Sequence, residues 1–288
     1  MLALPQSQPT AIAVARSTTE VINLWLFGKS QNTQDAYRRD VNSFIAFVEG
    51  KEINRWTVND IQGFSNALGE MGLAQSTVNR KILAVKSLLS YTQKLGLSQL
   101  NAGAAVTVTK TKNTVNERIL TESQVQEMVY STTHPVERAI LKLLYATGYR
   151  VSELCGLKWS DVTERENGVV QLTIYGKGDK TRFILIKAAL FAEVQMATGC
   201  AGDYLFSTKN GKPFDRARIH RIIKKAGERV GIAGVSAHWF RHSHASHSLD
   251  RGCAIHTVQA SLGHSSIETT QRYLHARPDD GSGMHLAI

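Results

Sequence analysis

The chain has 288 residues, 42 % of them hydrophobic, with 34 Lys and Arg against 24 Asp and Glu and a net charge of +10. That length holds two ordinary domains, each able to bury a core, and the positive surplus favours a polyanionic partner such as nucleic acid over a small acidic substrate. Cys155, Cys200 and Cys253 are odd in number, far apart and without a CxxC pair, so neither a disulfide framework nor a cysteine zinc site is written here, and a reducing cytosol fits. The first residues offer only a five-residue apolar run, Ala11 to Ala15, and no stretch of 18 apolar residues occurs. The expectation is a chain that is neither secreted nor membrane-spanning.

Residues 1–16 are rich in Pro, Gln, Ser and Thr and read as a flexible N-terminal arm. Four amphipathic segments follow. Val21, Leu24, Trp25 and Leu26 mark one over 17–29, and Tyr37, Val41, Phe44, Ile45 and Val48 repeat at helical spacing over 30–48. Thr57 is an N-cap for a third helix through Leu68, and Val78, Ile82, Val85, Leu88 and Leu89 mark a fourth that opens at Ser76. Residues 17–100 therefore predict a small helical bundle. Periodicity then fades over 101–116, which reads as an extended basic linker. The surplus charge divides evenly, +5 on each side of residue 116, so both halves can meet one polyanion.

The second half, 117–276, opens on a capping box, Thr121 to Gln124, with helical segments around 125–130 and 136–145. Alternating β-branched runs at 169–175 and 182–186 flank Gly176-Lys177-Gly178-Asp179 and predict a hairpin with Lys177 at its tip. Helices are expected again over 215–230, 237–251, 257–262 and 267–275, with Pro278 closing the last before a tail, 277–288.

Three strings carry the chemistry: ATGYRVSEL around Arg150, HWFRH from His238 to His242, and SLGH ending at His264, followed nine residues on by Tyr273 in TTQRYLHA. With Lys177 they supply a phenol, two guanidiniums, two imidazoles and an ammonium. Their order and spacing resemble the tyrosine recombinases, or phage-type integrases, and the compact length is similar to the Xer-like members. The resemblance spans residues 17–276, with specific motifs in the second half alone. It implies a mainly helical α+β chain: an N-terminal SAM-like core-binding bundle and a C-terminal catalytic domain, closing round DNA as a C-shaped clamp.

The residues fit that chemistry on physical grounds. An attacked phosphodiester gathers negative charge on its non-bridging oxygens, which the forks of Arg150 and Arg241 can hold bidentately. A free phenol with a pKa of about 10 is only about 0.1 % ionised at neutral pH, so Tyr273 needs a cationic site or a base, which His238, Arg241 and His264 can furnish. Lys177 on its hairpin tip is the general acid for the leaving 5′ oxygen. Glu153, one helical turn from Arg150, is expected to orient the basic groups. His244 and His247 read as structural residues of their helix, and the role of His242 stays open.

Neither a metal nor another cofactor is expected: HExxH and the P-loop frame are both absent, and a phosphotyrosine link returns its energy when a 5′ hydroxyl attacks it. Tyr37, Arg38, Arg39, Asn79, Arg80, Lys81 and Lys86 are candidates for phosphate and groove contacts. One nucleophilic tyrosine per chain and four broken strands per exchange require four protomers on double-stranded DNA, gathered from free monomers. The resemblance further implies a tail, with Met284, Leu286 and Ile288, that packs on a neighbouring protomer, and leaves room for an accessory directionality protein. It places the enzyme in the bacterial cytoplasm, at the nucleoid. A DNA-binding module without catalysis and a type IB topoisomerase-like nicking and closing enzyme are the competing readings; the ordered catalytic set favours the recombinase.

Overall fold

The computed structural model describes residues 17–110, 118–176, 181–200 and 202–274. The expected arm 1–16, the hairpin-tip Lys177 and the tail with Met284, Leu286 and Ile288 lie outside the described residues. The chain divides into two compact units, Met1–Lys112 and Asn113–Ile288.

In the first unit, four helices form because their apolar residues recur every three or four positions. They are α1 (Thr18–Leu26), α2 (Gln31–Phe47), α3 (Val58–Glu70) and α4 (Gln75–Lys94). Ser17 caps α1 by accepting the N–H of Glu20, and Thr57 with Asp60 closes a capping box on α3. Each such cap is worth about 1 kcal/mol. Trp25, Phe44, Ile61, Phe64, Ile82, Val85 and Leu88 are all buried in one core. Phe44 meets Trp56 and Phe64 edge-on at 4.8 and 5.2 Å between ring centres.

The expected extended linker, 101–116, is not one over its described part. Val106 is buried in the first core with Ala102 and Val108 packed beside it. The Lys86 ammonium donates to the Val106 carbonyl, and the Asn79 amide donates to the Thr109 carbonyl at 2.6 Å. A segment bound by isolated apolar anchors and backbone acceptors leaves no periodicity in the sequence, so it reads like a free one. Residues 111–116 lie outside the described residues.

The second unit comprises α5 (Glu122–Tyr130), α6 (Pro135–Thr147), α7 (Val151–Gly156), β1 (Val162–Arg165), β2 (Val169–Tyr175), β3 (Thr181–Lys187), α8 (Ala188–Thr198), α9 (Arg216–Arg229), α10 (Ala237–Asp250), α11 (Ile255–Leu262) and α12 (Ile267–Gln271). Thr121 and Gln124 form the capping box of α5. The strands lie antiparallel in the order β1-β2-β3, and β2 pairs with β3 from Val169↔Lys187 to Tyr175↔Thr181. Ile184 and Ile186 turn inward while Phe183 and Leu185 are more than half exposed. Arg182 shares the inward face by the two-residue period of the strand.

Strand β1 and helix α8 go beyond the sequence expectation. The residues of β1, VTER, are largely exposed and show no apolar alternation, and α8 buries Phe191 and Val194 while leaving Met196 in solvent. The final helix is shorter than expected: α12 ends at Gln271, not at 275, so Tyr273 stands just past it, its N–H bonded to the Thr270 carbonyl.

Candidate active site

Helix α6 ends in Gly148, whose φ of +62° lies in the left-handed region that a glycine adopts without strain. A Cβ there would stand 2.7 Å from Leu262 Cδ2 and 2.8 Å from His244 Cδ2, so any side chain at this position would have to displace both neighbours. This close approach brings the ends of α6 and α11 to α10. There Arg241, 4 % exposed, donates from Nη1 to the Gly148 carbonyl at 2.7 Å and from Nη2 to the Leu262 carbonyl at 2.6 Å. Helix C-termini leave carbonyls without helical partners and carry partial negative charge, which a buried guanidinium satisfies. Burial, then the Arg150 charge, bring the Arg241 pKa down to about 10, so it remains cationic at neutral pH.

Arg150 precedes α7 and is tied to Glu153 twice, from its backbone N–H to Oε2 and from Nη1 to Oε1, both at 2.9 Å. The other side of that carboxylate is taken by Arg182, which donates from Nη2 to Oε2 at 2.7 Å and from Nε to the Ser261 carbonyl at 2.8 Å. The Arg182 side chain also lies against Gly263, where a Cβ would come within 3.3 Å of it. Burial would raise the Glu153 pKa, but the Arg182 hydrogen bond, the Arg150 N–H and their charges outweigh it and hold the carboxyl below its usual range. Glu153 and Arg182 are nearly buried, whereas the Arg150 side chain is 42 % exposed and free to meet an anion. A recess of about 200 Å³ adjoins it, lined by Tyr149, Arg150, Arg216, His220 and His238.

The histidines of α10 point to different partners. His244 Nδ1 meets the Tyr145 carbonyl and His247 Nδ1 the Tyr145 hydroxyl, each at 2.8 Å, so both serve the packing of α10 on α6. Partial desolvation of the His238 ring lowers its pKa, and Arg241, Arg150, His220 and Arg118 add to the effect. His264 follows the left-handed Gly263 and pairs through Nδ1 with the hydroxyl of buried Thr270 at 2.9 Å. Burial and the charges of Arg241 and Arg150 bring its pKa to about 4, leaving the ring neutral. Tyr273 is 3 % exposed, packed with Ala245, Leu249, Val258 and Leu262, and its hydroxyl lies 2.7 Å from His242 Nδ1. Burial raises the Tyr273 pKa against the opposing influence of Arg241 and Arg272.

Arg150, Glu153, His238, Arg241, His264 and Tyr273 thus gather around the junction of α6, α7, α10 and α11, while Lys177 lies outside the described residues. Arg182 is a member that sequence reasoning missed. Its one signal was its phase: it lies in register with inward-facing Ile184 and Ile186, where a charge must find a partner. Arg216 and His220 were missed as well, read only as part of the helix expected over 215–230. Among the described residues no three His, Cys, Asp or Glu side chains stand together as a metal cluster.

The candidates for DNA contact in the first unit do not form one patch of idle cations. Tyr37 stacks on Trp25 at 5.2 Å as part of the core. Arg80 and Lys81 pair with buried Asp40, Lys86 and Asn79 hold residues 106 and 109, and Arg38 donates to Asn23 at 3.0 Å. Arg39 is exposed and donates from Nε to the Asp35 carbonyl at 3.2 Å.

Residues 117–279 match the phage integrase family, and residues 23–95 match the phage integrase N-terminal SAM-like domain. The chain is 32 % identical over 276 residues to a protein named tyrosine recombinase XerC from Roseiflexus castenholzii, covering 89 % of this chain and 87 % of that one. It is 34 % identical over 261 residues to one of the same name from Corynebacterium efficiens, covering 86 % and 82 %. In fold it is similar to XerH recombinase bound to a palindromic difH substrate, with a TM-score of 0.72, 22 % identity and coverage of 91 % and 82 %. It is likewise similar to a lambda integrase dimer bound to a COC′ core site, with a TM-score of 0.75, 18 % identity and coverage of 92 % and 95 %.

Proposed function

The chain belongs to the phage integrase family, and from that premise we propose that it is a tyrosine site-specific DNA recombinase. It cleaves and rejoins DNA through a 3′-phosphotyrosyl intermediate, with Tyr273 as the nucleophile. The observation that carries the assignment of residues is Arg241, braced by two helix ends beside Arg150 and Tyr273. A guanidinium already held by protein carbonyls needs no reordering when charge develops on the phosphate. Arg150, anchored by Glu153 and exposed on its outer side, completes the clamp on the non-bridging oxygens. His238 and His264, the latter neutral at pH 7, border the same phosphate site and contribute hydrogen bonds to it. Lys177 protonates the departing 5′ oxygen, and the new 5′ hydroxyl of a partner strand later displaces Tyr273. The ester keeps the energy of the broken bond, so the cycle consumes neither ATP nor a metal.

Four protomers meet at a synapse of two duplexes, assembled from monomers, with the tail 277–288 bridging neighbours and an accessory protein setting direction. The basic faces of the helical bundle, Arg38, Arg39 and Arg80 among them, track the duplex backbone. The enzyme works in the bacterial cytoplasm at the nucleoid; no helix among the described residues is long and apolar enough to cross a membrane.

The test is a denaturing-gel search for covalent protein–DNA adducts, using the purified full chain in EDTA and nicked suicide duplexes tiled across the DNA that flanks its gene. An adduct from the wild type that disappears in Tyr273→Phe is the expected result. Specific binding to one duplex without any adduct would overturn the assignment in favour of a DNA-binding module.

A further inference from the structure

A buried phenol is a poor nucleophile twice over: it is almost wholly protonated at neutral pH, and desolvation opposes its ionisation further. Its proton needs an acceptor at contact distance. The Tyr273 hydroxyl has one hydrogen-bond partner among the described residues, Nδ1 of His242 at 2.7 Å. The two rings lie 5.7 Å apart, with an angle of 45° between their planes. His242 follows Arg241 directly on α10, so the imidazole and the phosphate-clamping guanidinium ride on one rigid element. We propose that His242 is the catalytic base for this tyrosine, taking the phenolic proton on Nδ1 as the oxygen attacks phosphorus. The proposal rests on Tyr273 being the nucleophile.

The charges around the ring make this base conditional on substrate. His242 is faced by His238 and Arg241 from its own helix, by Tyr273 and His264 from the segment after α11, and by Arg118 from the segment before α5. Burial first, then His238, Arg118 and Arg241, bring its pKa to about 4, so the free protein holds a neutral ring that can accept a proton but holds it weakly. A phosphodiester seated on Arg150 and Arg241 adds a negative charge to this cationic pocket and offsets the repulsion that an imidazolium would feel. The basicity of His242 therefore rises when DNA is in place, and the tyrosine stays idle without it.

The step balances. The phenolic O–H bond breaks and an N–H bond forms on Nδ1, while a bond forms between Tyr273 Oη and phosphorus. The bond from phosphorus to the 5′ oxygen breaks, and that oxygen takes its proton from the general acid. In religation the 5′ hydroxyl returns its proton to the deprotonated general acid as its oxygen attacks phosphorus, the bond from phosphorus to Tyr273 Oη breaks, and the imidazolium gives its proton back to the departing phenolate.

The experiment measures single-turnover adduct formation on the suicide duplex for the wild type, His242→Ala and His242→Asn, with tyrosine or a ring-fluorinated, more acidic tyrosine at position 273. Asn can accept the hydroxyl's hydrogen bond but cannot take its proton. Both variants are expected to bind the duplex normally and to react about 100-fold slower or worse, with much of the loss recovered by the acidic phenol. Wild-type rates in His242→Asn, a loss indifferent to phenol acidity, or faster reaction would each overturn the proposal. Tyr273→Phe keeps the two ideas apart: an adduct that survives it removes the nucleophile itself, whereas an adduct lost in it but insensitive to His242 removes only the base. Nitrogen NMR of the histidine-labelled free protein reads the same bond without DNA. It should find Nδ1 of His242 unprotonated and its signal displaced in Tyr273→Phe; a protonated Nδ1 would overturn the proposal.

Discussion

Removing Arg182 tests whether the site is braced from the sheet. Its guanidinium joins Glu153 at 2.7 Å and the Ser261 carbonyl at 2.8 Å, and its stem packs on Gly263. Hydrogen bonds to a charged group contribute about 1.5–3 kcal/mol each, and breaking a buried ion pair costs about 3–5 kcal/mol when the remaining charge has no partner. Glu153 keeps both bonds from Arg150, and the pair retains a little solvent, its side chains being 11–12 % exposed. We therefore expect Arg182→Ala to lower the stability of the second unit by about 3 kcal/mol, with Arg182→Lys recovering part of it. Amide hydrogen exchange of the full chain as a function of urea measures this unit by unit. A double-mutant cycle with Glu153→Gln should return a coupling of about 1.5 kcal/mol or more. A loss below about 1 kcal/mol, or a coupling near zero, would refute the reasoning.

Gly148→Ala should destabilise by about 2–4 kcal/mol, combining about 1–2 for a left-handed Cβ with the contact at Leu262 and His244. It should also slow adduct formation, because the displaced carbonyl is one of the two that hold Arg241; wild-type unfolding in urea would refute it. Acid should weaken the fold before the carboxylates titrate. His242, His244 and His264 have folded pKa values of about 4 against a usual value near 6.5, so their contribution is complete above about pH 6.5 and is lost as pH falls towards 4. Each adds a slope of up to about 1.4 kcal/mol per pH unit. Thermal unfolding followed from about pH 7 to about pH 5 should show a falling midpoint, and a flat one would contradict these environments.

What could be read from the residues was what is local. The capping boxes at Thr57 and Thr121 rest on side chains three positions apart, and the apolar spacing of α2 and α4 needs no tertiary knowledge. The three strings that supply the candidate site were legible as a set, yet what holds them together was not. Arg241 is positioned by the carbonyls of Gly148 and Leu262, and a backbone oxygen has no signature in a sequence. Arg182 escaped because both faces of β3 carry apolar residues, Phe183 and Leu185 against Ile184 and Ile186, so its phase was ambiguous. Arg80 and Lys81 read as free cations because their partner, buried Asp40, lies a whole helix away. Residues 101–110 read as linker because a few anchors, not a period, fix them.

The dependence of Arg241 on two helix ends bears on how this chain can change length. Each residue of an α-helix turns its successor by about 100°, so one inserted or deleted near the end of α6 or α11 would swing the terminal carbonyl away from the guanidinium. Substitutions on the outer faces of those helices leave the carbonyls where they are. Gains and losses of single residues should therefore accumulate in turns such as 166–168, between β1 and β2, and be excluded from the last turns of α6 and α11, however exposed those turns are.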